Sequence, residues 1–183
     1  IALVVVLYND TPRDYVFQDN GIPIIIVDNT PNRDLKILSS QITYIALKDN
    51  LGIAKALNVG FQKAKEIGAQ WVLTMDQDSE LPSNMIDEYI RFIDEDHDSV
   101  GIISPLINMY EGENQKPSDT YCMVDTALTS GSLISMNAFD TSGGFKEEMF
   151  IDEVDFEFCW NIKRHGYLTY QLNRVLMQHH LGN

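Results

Sequence analysis

The stretch Trp71-Val72-Leu73-Thr74-Met75-Asp76-Gln77-Asp78-Ser79 sets the frame in which the rest of the chain is read. Its first five residues carry no charge and include bulky and β-branched side chains, the signature of a strand buried on both faces. Two carboxylates one residue apart follow at its end. In an open α/β sheet ligands bind beyond the carboxyl ends of the strands, and two such oxygen donors suit a divalent cation that in turn holds a diphosphate. Asp-x-Asp also arises in acidic surface turns, and this chain has 27 acidic residues in 183. Its place directly after a strand separates the two readings and points to an enzyme handling an activated phosphate compound.

Working outward, similar apolar runs predict strands over residues 2–7, 23–27, 43–47, 71–75 and 101–104. Between the third and fourth, Ile53, Leu57, Phe61, Ala64 and Ile67 recur at helical spacing, and Gly68 supplies a stop. A second helix carries Met85, Ile86, Tyr89, Ile90 and Ile93, with Pro82 in its first turn. Strands alternating with helices predict an α/β domain, a Rossmann-like and mostly parallel sheet flanked by helices with right-handed crossovers. Beyond Pro105, residues 108–120 are polar and without period, which reads as a surface loop. Strand-like stretches at 121–126 and 132–135, a tight turn at Gly143-Gly144-Phe145, a helix over about 152–165 and a strand at 168–172 complete the pattern.

A length of 183 residues with 44% hydrophobic and 22% charged residues fits a single domain, residues 1–183, with a real core. No apolar stretch approaches the roughly 18 residues that a membrane span needs. The opening run 1–7 lacks a basic flank and a cleavage site, so it is not read as a signal peptide. A start at Ile1 without Met and an end at Asn183 predict a piece of a longer protein, with room for peripheral membrane association through a missing segment. The net charge of −14 opposes contact with a nucleic-acid backbone, which is driven by Lys and Arg. A small anionic ligand remains compatible if a cation or backbone amides supply the positive potential. Cys122 and Cys159 show no metal or redox spacing and read as reduced, buried thiols of a cytosolic protein.

Polar residues gather where strands end: Tyr8-Asn9-Asp10, Asp28-Asn29-Thr30, Asp49-Asn50-Leu51-Gly52 and Asp76-Gln77-Asp78. Asn and Asp are ordinary turn formers and caps, which explains single positions better than their recurrence at one edge. An Asp facing a pocket accepts the imide N–H of a pyrimidine, so Asp28 is a candidate base reader. No Gly-x-Gly-x-x-Gly follows the first strand and no phosphate-binding loop with Gly-Lys-Ser/Thr occurs, so dinucleotide dehydrogenases and P-loop NTPases are poor fits. A second constellation is Asp152-Glu153-Val154-Asp155-Phe156-Glu157. If it opens a helix, Asp152 and Asp155 share a face; acids also favour a first turn through the helix dipole alone. Preceded by a glycine turn and the apolar Met149-Phe150-Ile151, these acids are candidates for a general base in a cleft. Finally, His179-His180 follows the strand-like Val175-Leu176-Met177, where an imidazole can complete coordination begun by Asp78.

In this order, Leu7-Tyr8-Asn9, Val27-Asp28-Asn29, Asn50-Leu51-Gly52-Ile53-Ala54 with Asn58 and Gly60, Asp76-Gln77-Asp78-Ser79, Gly143-Gly144-Phe145 and Asp152-Glu153-Val154-Asp155 with Glu157 resemble the inverting nucleotide-sugar glycosyltransferases of family 2, which have the GT-A fold. The wording of the central segments is most similar to the bacterial rhamnosyltransferase branch. That resemblance implies a metal-dependent enzyme using Mg²⁺ or Mn²⁺, a nucleotide-sugar donor (dTDP-L-rhamnose or a UDP-sugar) and a polysaccharide or lipid-linked glycan acceptor of the cell surface. It implies a cytoplasmic enzyme working at the inner face of the cell membrane. Residues 1–105 would form the nucleotide-sugar-binding half and 106–183 the acceptor and catalytic half. Tyr8 and Asn9 would line the nucleotide pocket, Asp28 would contact the base, and Asn50 and Lys55 would lie beside it. Asp76 would face the ribose or the metal, Asp78 would ligate the metal, and His179 would be a third metal-side residue, with His180 as the neighbouring alternative. Asp155 matches the family's base by its place before Phe-Glu-Phe, with Asp152 as the competing assignment. One departure is Asn161 after Trp160, where the branch carries Arg; either Lys163 or Arg164 substitutes or a contact is missing.

Two other classes share part of this pattern. Haloacid dehalogenase-type phosphatases also place Asp-x-Asp after an apolar strand, but with Thr or Val two residues beyond and early in the chain; here that position is Glu80 and the strand is the fourth. A non-catalytic nucleotide-sugar-binding module of the same fold is the other, and the intact acids argue against it.

Overall fold

The computed structural model describes residues 1–12, 21–36, 40–95, 97–108 and 115–178. Its order is β1 (Ala2–Leu7), β2 (Ile24–Asp28), β3 (Ile42–Ala46), α1 (Ile53–Glu66), β4 (Trp71–Asp76), α2 (Met85–Asp94), β5 (Val100–Asn108), β6 (Tyr121–Val124), β7 (Leu133–Ser135), α3 (Met136–Ser142), α4 (Val154–Arg164) and β8 (Leu168–Gln178). The strands form one eight-stranded sheet in the order β3-β2-β1-β4-β7-β5-β8-β6. β1, β2, β3 and β4 pair in parallel, as do β5 and β8, whereas β7 and β6 run antiparallel to their neighbours.

Each buried strand feeds two cores, because successive side chains leave opposite faces of the sheet. Ala2, Val4, Val6, Ile25, Val27 and Val72 pack on one face with Leu57, Phe61 and Phe158 from α1 and α4. Leu3, Val5, Leu7, Ile24, Ile26, Leu73 and Met75 pack on the other with Met85, Tyr89 and Phe92 of α2. This two-sided burial is why the runs read as continuous. Gly60 lets α1 close on the sheet: a Cβ there would stand 2.5 Å from the Val4 Cγ1. Phe61 stacks on Phe139 with centroids 4.3 Å apart, and Phe145 stacks on Phe158 at 4.2 Å. These rings join α1, α3 and α4 into the layer that carries the second acidic cluster.

Several expectations are corrected. The helix after Gly143-Gly144-Phe145 begins at Val154, because Glu153 adopts a left-handed φ of 64°. Asp152 is therefore exposed in the preceding turn and shares no helical face with Asp155. Pro82 precedes Asn84, the cap of α2, and Ile90 on that helix is exposed while Phe92 is buried. α3 had no signal in the sequence pattern. β7, entering between β4 and β5, is likewise a pairing that local periodicity does not reveal. The strand-like pieces at 168–172 and 175–177 are one strand, β8, which stays paired to β5 across a register shift. Asn108 is a buried end of β5 and not loop. Cys159 is buried as expected, but Cys122 is exposed on the edge strand β6.

Candidate active site

The carboxyl ends of β1, β2 and β4 meet at one edge, and the register decides how their acids are dealt out. Leu7 pairs with Asp28 and Val6 with Asp76, so the two aspartates belong to opposite faces of the sheet.

Asp28 is fully buried and fully engaged. Its carboxylate accepts from Arg33 Nε at 2.6 Å and Nη2 at 2.9 Å, from the Tyr44 hydroxyl at 2.7 Å and from the Thr30 N–H at 3.0 Å. Burial works to raise its pKa, but the bonds from Arg33, Tyr44 and Thr30 together outweigh it and hold the carboxyl below its ordinary value. Arg33 and Tyr44 were not singled out in the sequence; an Arg five residues after a strand-end Asp was the available signal.

Asp76 has the opposite surroundings. Burial, then the carboxylates of Asp155 and Asp78, push it up from 3.8 to about 7. With Asp78, Gln77, Tyr8, Val6 and Ile53 it lines a cleft of about 190 Å³. Gln77 closes one wall by accepting the Tyr8 N–H at 2.6 Å. Asn9, at a left-handed φ of 54°, donates its N–H to Thr30 Oγ1 at 2.8 Å, tying the ends of β1 and β2.

The second acidic cluster is brought to this cleft by backbone docking. Ile53 donates its N–H to the Phe150 carbonyl at 2.8 Å. Gly52, at φ 86°, permits that approach, since a Cβ would lie 2.6 Å from the same oxygen. Asn50 holds the turn: its Oδ1 accepts from Asn29 Nδ2 at 3.0 Å and from the Gly52 N–H at 3.2 Å. Asn58 brackets the glycine turn, giving and taking bonds of 2.9 Å with the backbone of Phe145. Lys55 is turned to Glu147, 3.1 Å away.

Residues before β7 complete the frame. Ser130 Oγ accepts the Asp76 N–H at 3.1 Å and lies 2.8 Å from Ser79 Oγ, while Thr129 Oγ1 donates to Asp155 Oδ1 at 3.0 Å. This Thr129-Ser130 pair escaped the sequence reading; the hydroxyl-rich run Thr129-Ser130-Gly131-Ser132 was its only trace.

Thus the structure draws Tyr8, Asp76, Asp78 and Asp155 together, keeps Asp28 on the other face behind Arg33, and leaves Asp152 on the surface. His179 and His180 lie outside the described residues. Asn161, where the departure was noted, donates to the Ser142 carbonyl, and Lys163 pairs with Asp125. Among the described residues no group of three or more His, Cys, Asp and Glu could by itself hold a metal ion. Asp76 and Asp78 do fit a hard cation that is shared with a ligand's phosphates: they are two oxygen donors one residue apart, and burial first, then the Asp155 and Asp78 carboxylates, make the charged form of Asp76 costly without a cation.

A family model described as "Glycosyl transferase family 2" matches residues 18–160. The curated protein "dTDP-rhamnosyl transferase RfbF" of Shigella flexneri is 26% identical over 210 residues, covering 100% of this chain and 70% of the relative. GalNAc-T7, solved with UDP, GalNAc and Mn²⁺, superposes with a TM-score of 0.76 at 16% identity over 98% of this chain. The S. aureus TarS 1-349 complex with UDP-GlcNAc gives 0.71 at 16% identity over 100%. The chain spans 43% and 58% of those two longer chains. At such identities the likeness establishes the GT-A fold.

Proposed function

Since the chain belongs to glycosyl transferase family 2 and is a glycosyltransferase, we propose that it moves a sugar, L-rhamnose from dTDP-L-rhamnose, to a glycan acceptor with inversion at the anomeric carbon. The observation that carries this reading is a cleft lined by Tyr8, Asp76 and Asp78, with the Asp155 carboxylate close enough to act on Asp76. The relationship to a dTDP-rhamnosyl transferase supports the choice of donor, and a polysaccharide or lipid-linked glycan is the acceptor class.

In this reading Tyr8 and Asn9 border the nucleotide, with Asn50 and Lys55 beside it and Asp28 toward the base. Asp28 reaches the base only together with Arg33, which already occupies its carboxylate. Asp76 and Asp78, with His179 as a further candidate, hold Mg²⁺ or Mn²⁺. When bound, that ion supplies positive charge against the departing diphosphate. Asp155 takes the proton of the acceptor hydroxyl as its oxygen attacks the anomeric carbon from the face opposite the nucleotide. The bond to the diphosphate oxygen breaks with the electron pair leaving on that oxygen. Asp155 suits the base role better than Asp152 because it alone is fixed beside Asp76. No helix among the described residues is long and apolar enough to cross a membrane; work at the inner face of a cell membrane is part of the proposal and rests on the acceptor class.

Thermal-shift titration with dTDP, UDP and GDP, with and without Mn²⁺, tests this directly. The expected result is the largest shift for dTDP with Mn²⁺. A dTDP shift unchanged by EDTA would remove the shared-cation reading, and a larger shift for GDP would remove the donor.

A further inference from the structure

Resting on the reading of Asp155 as the base, we propose that Thr129 is its positioning residue: the Thr129 hydroxyl fixes the rotation of the carboxylate that takes the acceptor's proton. The bond itself, Oγ1 to Asp155 Oδ1 at 3.0 Å, joins two segments 26 residues apart. A hydroxyl donating to a carboxylate is a charge-assisted bond, stronger and more directional than a neutral one.

Thr129 is well placed to hold an angle. It is only 9% exposed, and its branched Cβ makes χ1 stiff. Its carbonyl accepts from the Thr74 hydroxyl and from the Ser132 N–H at 3.0 Å. The residues that follow bond twice to the same edge of β4, through Gly131 N–H to the Thr74 carbonyl at 2.7 Å and Thr74 N–H to the Ser132 carbonyl at 2.9 Å. Its neighbour Ser130 accepts the Asp76 N–H. One short segment therefore holds the end of β4, where Asp76 stands, and the carboxylate arriving from α4. Asp155 stands in the first turn of α4, which follows an exposed turn, and the Thr129 hydroxyl reaches its carboxylate from the segment bonded to β4. An angular error at a base is costly, since a misplacement of about 1 Å at a reacting group lowers rates by about a hundredfold.

The test compares Thr129→Val, Thr129→Ser and Asp155→Asn in the whole chain. The readouts are dTDP release from dTDP-L-rhamnose, with water as the acceptor, and dTDP affinity with Mn²⁺. Thr129→Val keeps the shape and loses the hydroxyl; kcat should fall about tenfold to a hundredfold with donor KM and dTDP affinity little changed. Thr129→Ser, which restores the hydroxyl, should recover most of the rate. Wild-type kcat in Thr129→Val, an equal loss in Thr129→Ser, or a parallel loss of dTDP affinity would each overturn the positioning role while Asp155→Asn remained inactive. Turnover surviving in Asp155→Asn, or absent from the wild type, would instead remove the underlying reading of the site.

Discussion

Asp28 and Asp76 end neighbouring strands on either side of β1, yet they have opposite electrostatic fates. One carboxylate is buried against a guanidinium, a phenol and a backbone amide and is held ionised. The other is buried beside two further carboxylates and is pushed up to about 7. The cause is a one-residue offset in register: pairing with Leu7 turns Asp28 to the face of Tyr44 and α2, and pairing with Val6 turns Asp76 to the face of α1 and α4. Asp28 has its cation built into the chain, whereas Asp76 stands where a cation from outside would be welcome. Identical residues at matching strand ends thus divide into a buried ion pair and a candidate chemical site.

The sharpest way to break this comparison is to remove the proposed base from beside Asp76. Asp155→Asn should lower transfer by about 10²–10⁴-fold while leaving dTDP affinity near wild type, because only the proton-accepting role is lost. Steady-state kinetics beside a dTDP titration checks it.

Next in size is a pair of melts of opposite sign. Asp28→Asn leaves Arg33, whose side chain is only 20% exposed, without its counter-charge. A cost on the order of 2 kcal/mol follows, or about 4–8 °C in Tm for a domain of this length. Asp76→Asn relieves repulsion from Asp78 and Asp155 and should raise Tm in the absence of divalent cations. Shifts of the same sign in both variants would erase the distinction between the two aspartates.

A smaller effect separates them by pH. A carboxyl whose folded pKa is raised favours the folded state below its unfolded value near 3.8 and loses that contribution as pH climbs through about 7. Asp28, with its folded pKa lowered, contributes above its unfolded value and loses the contribution as pH falls through the folded one. The melting temperature measured in EDTA should therefore decline more steeply from pH 5 to 8 in the wild type than in Asp76→Asn. Mn²⁺ at pH 8 should restore it in the wild type alone. The smallest expected change is for Lys55→Ala: its bond to Glu147 is half exposed, so Tm should fall by less than about 2 °C.

Much of the site was legible because its residues sit where strands stop, and strand ends can be read from continuous apolar runs. Tyr8, Asp76 and Asp78, which line the cleft, and Asn9, Asp28 and Asn50 around it all stand at or just after strand ends. What escaped was whatever depends on partners far along the chain. Asp28 read as a free base contact because nothing local marks Arg33 and Tyr44 as its neighbours. Asp152 stood as a competitor to Asp155 because a left-handed Glu153 leaves no periodic trace. Thr129 and Ser130 gave no signal beyond their hydroxyl-rich run, since their contacts arise only when β7 inserts beside β4.

The sequence by itself determined the α/β alternation, the parallel part of the sheet and the edge at which chemistry is possible. Those follow from local hydrophobic period and from residue types at fixed short spacing, while the family follows from the likeness of its motifs. Only the tertiary structure decided which face each strand-end acid joins, which acid acquires a protein counter-charge, and which acid of the 152–157 cluster meets Asp76. These are consequences of register and of bonds spanning 26 to 69 residues, such as Thr129 to Asp155 and Tyr8 to Gln77. The charge state of a carboxyl depends on what surrounds it in space, and local sequence carries only the neighbours along the chain.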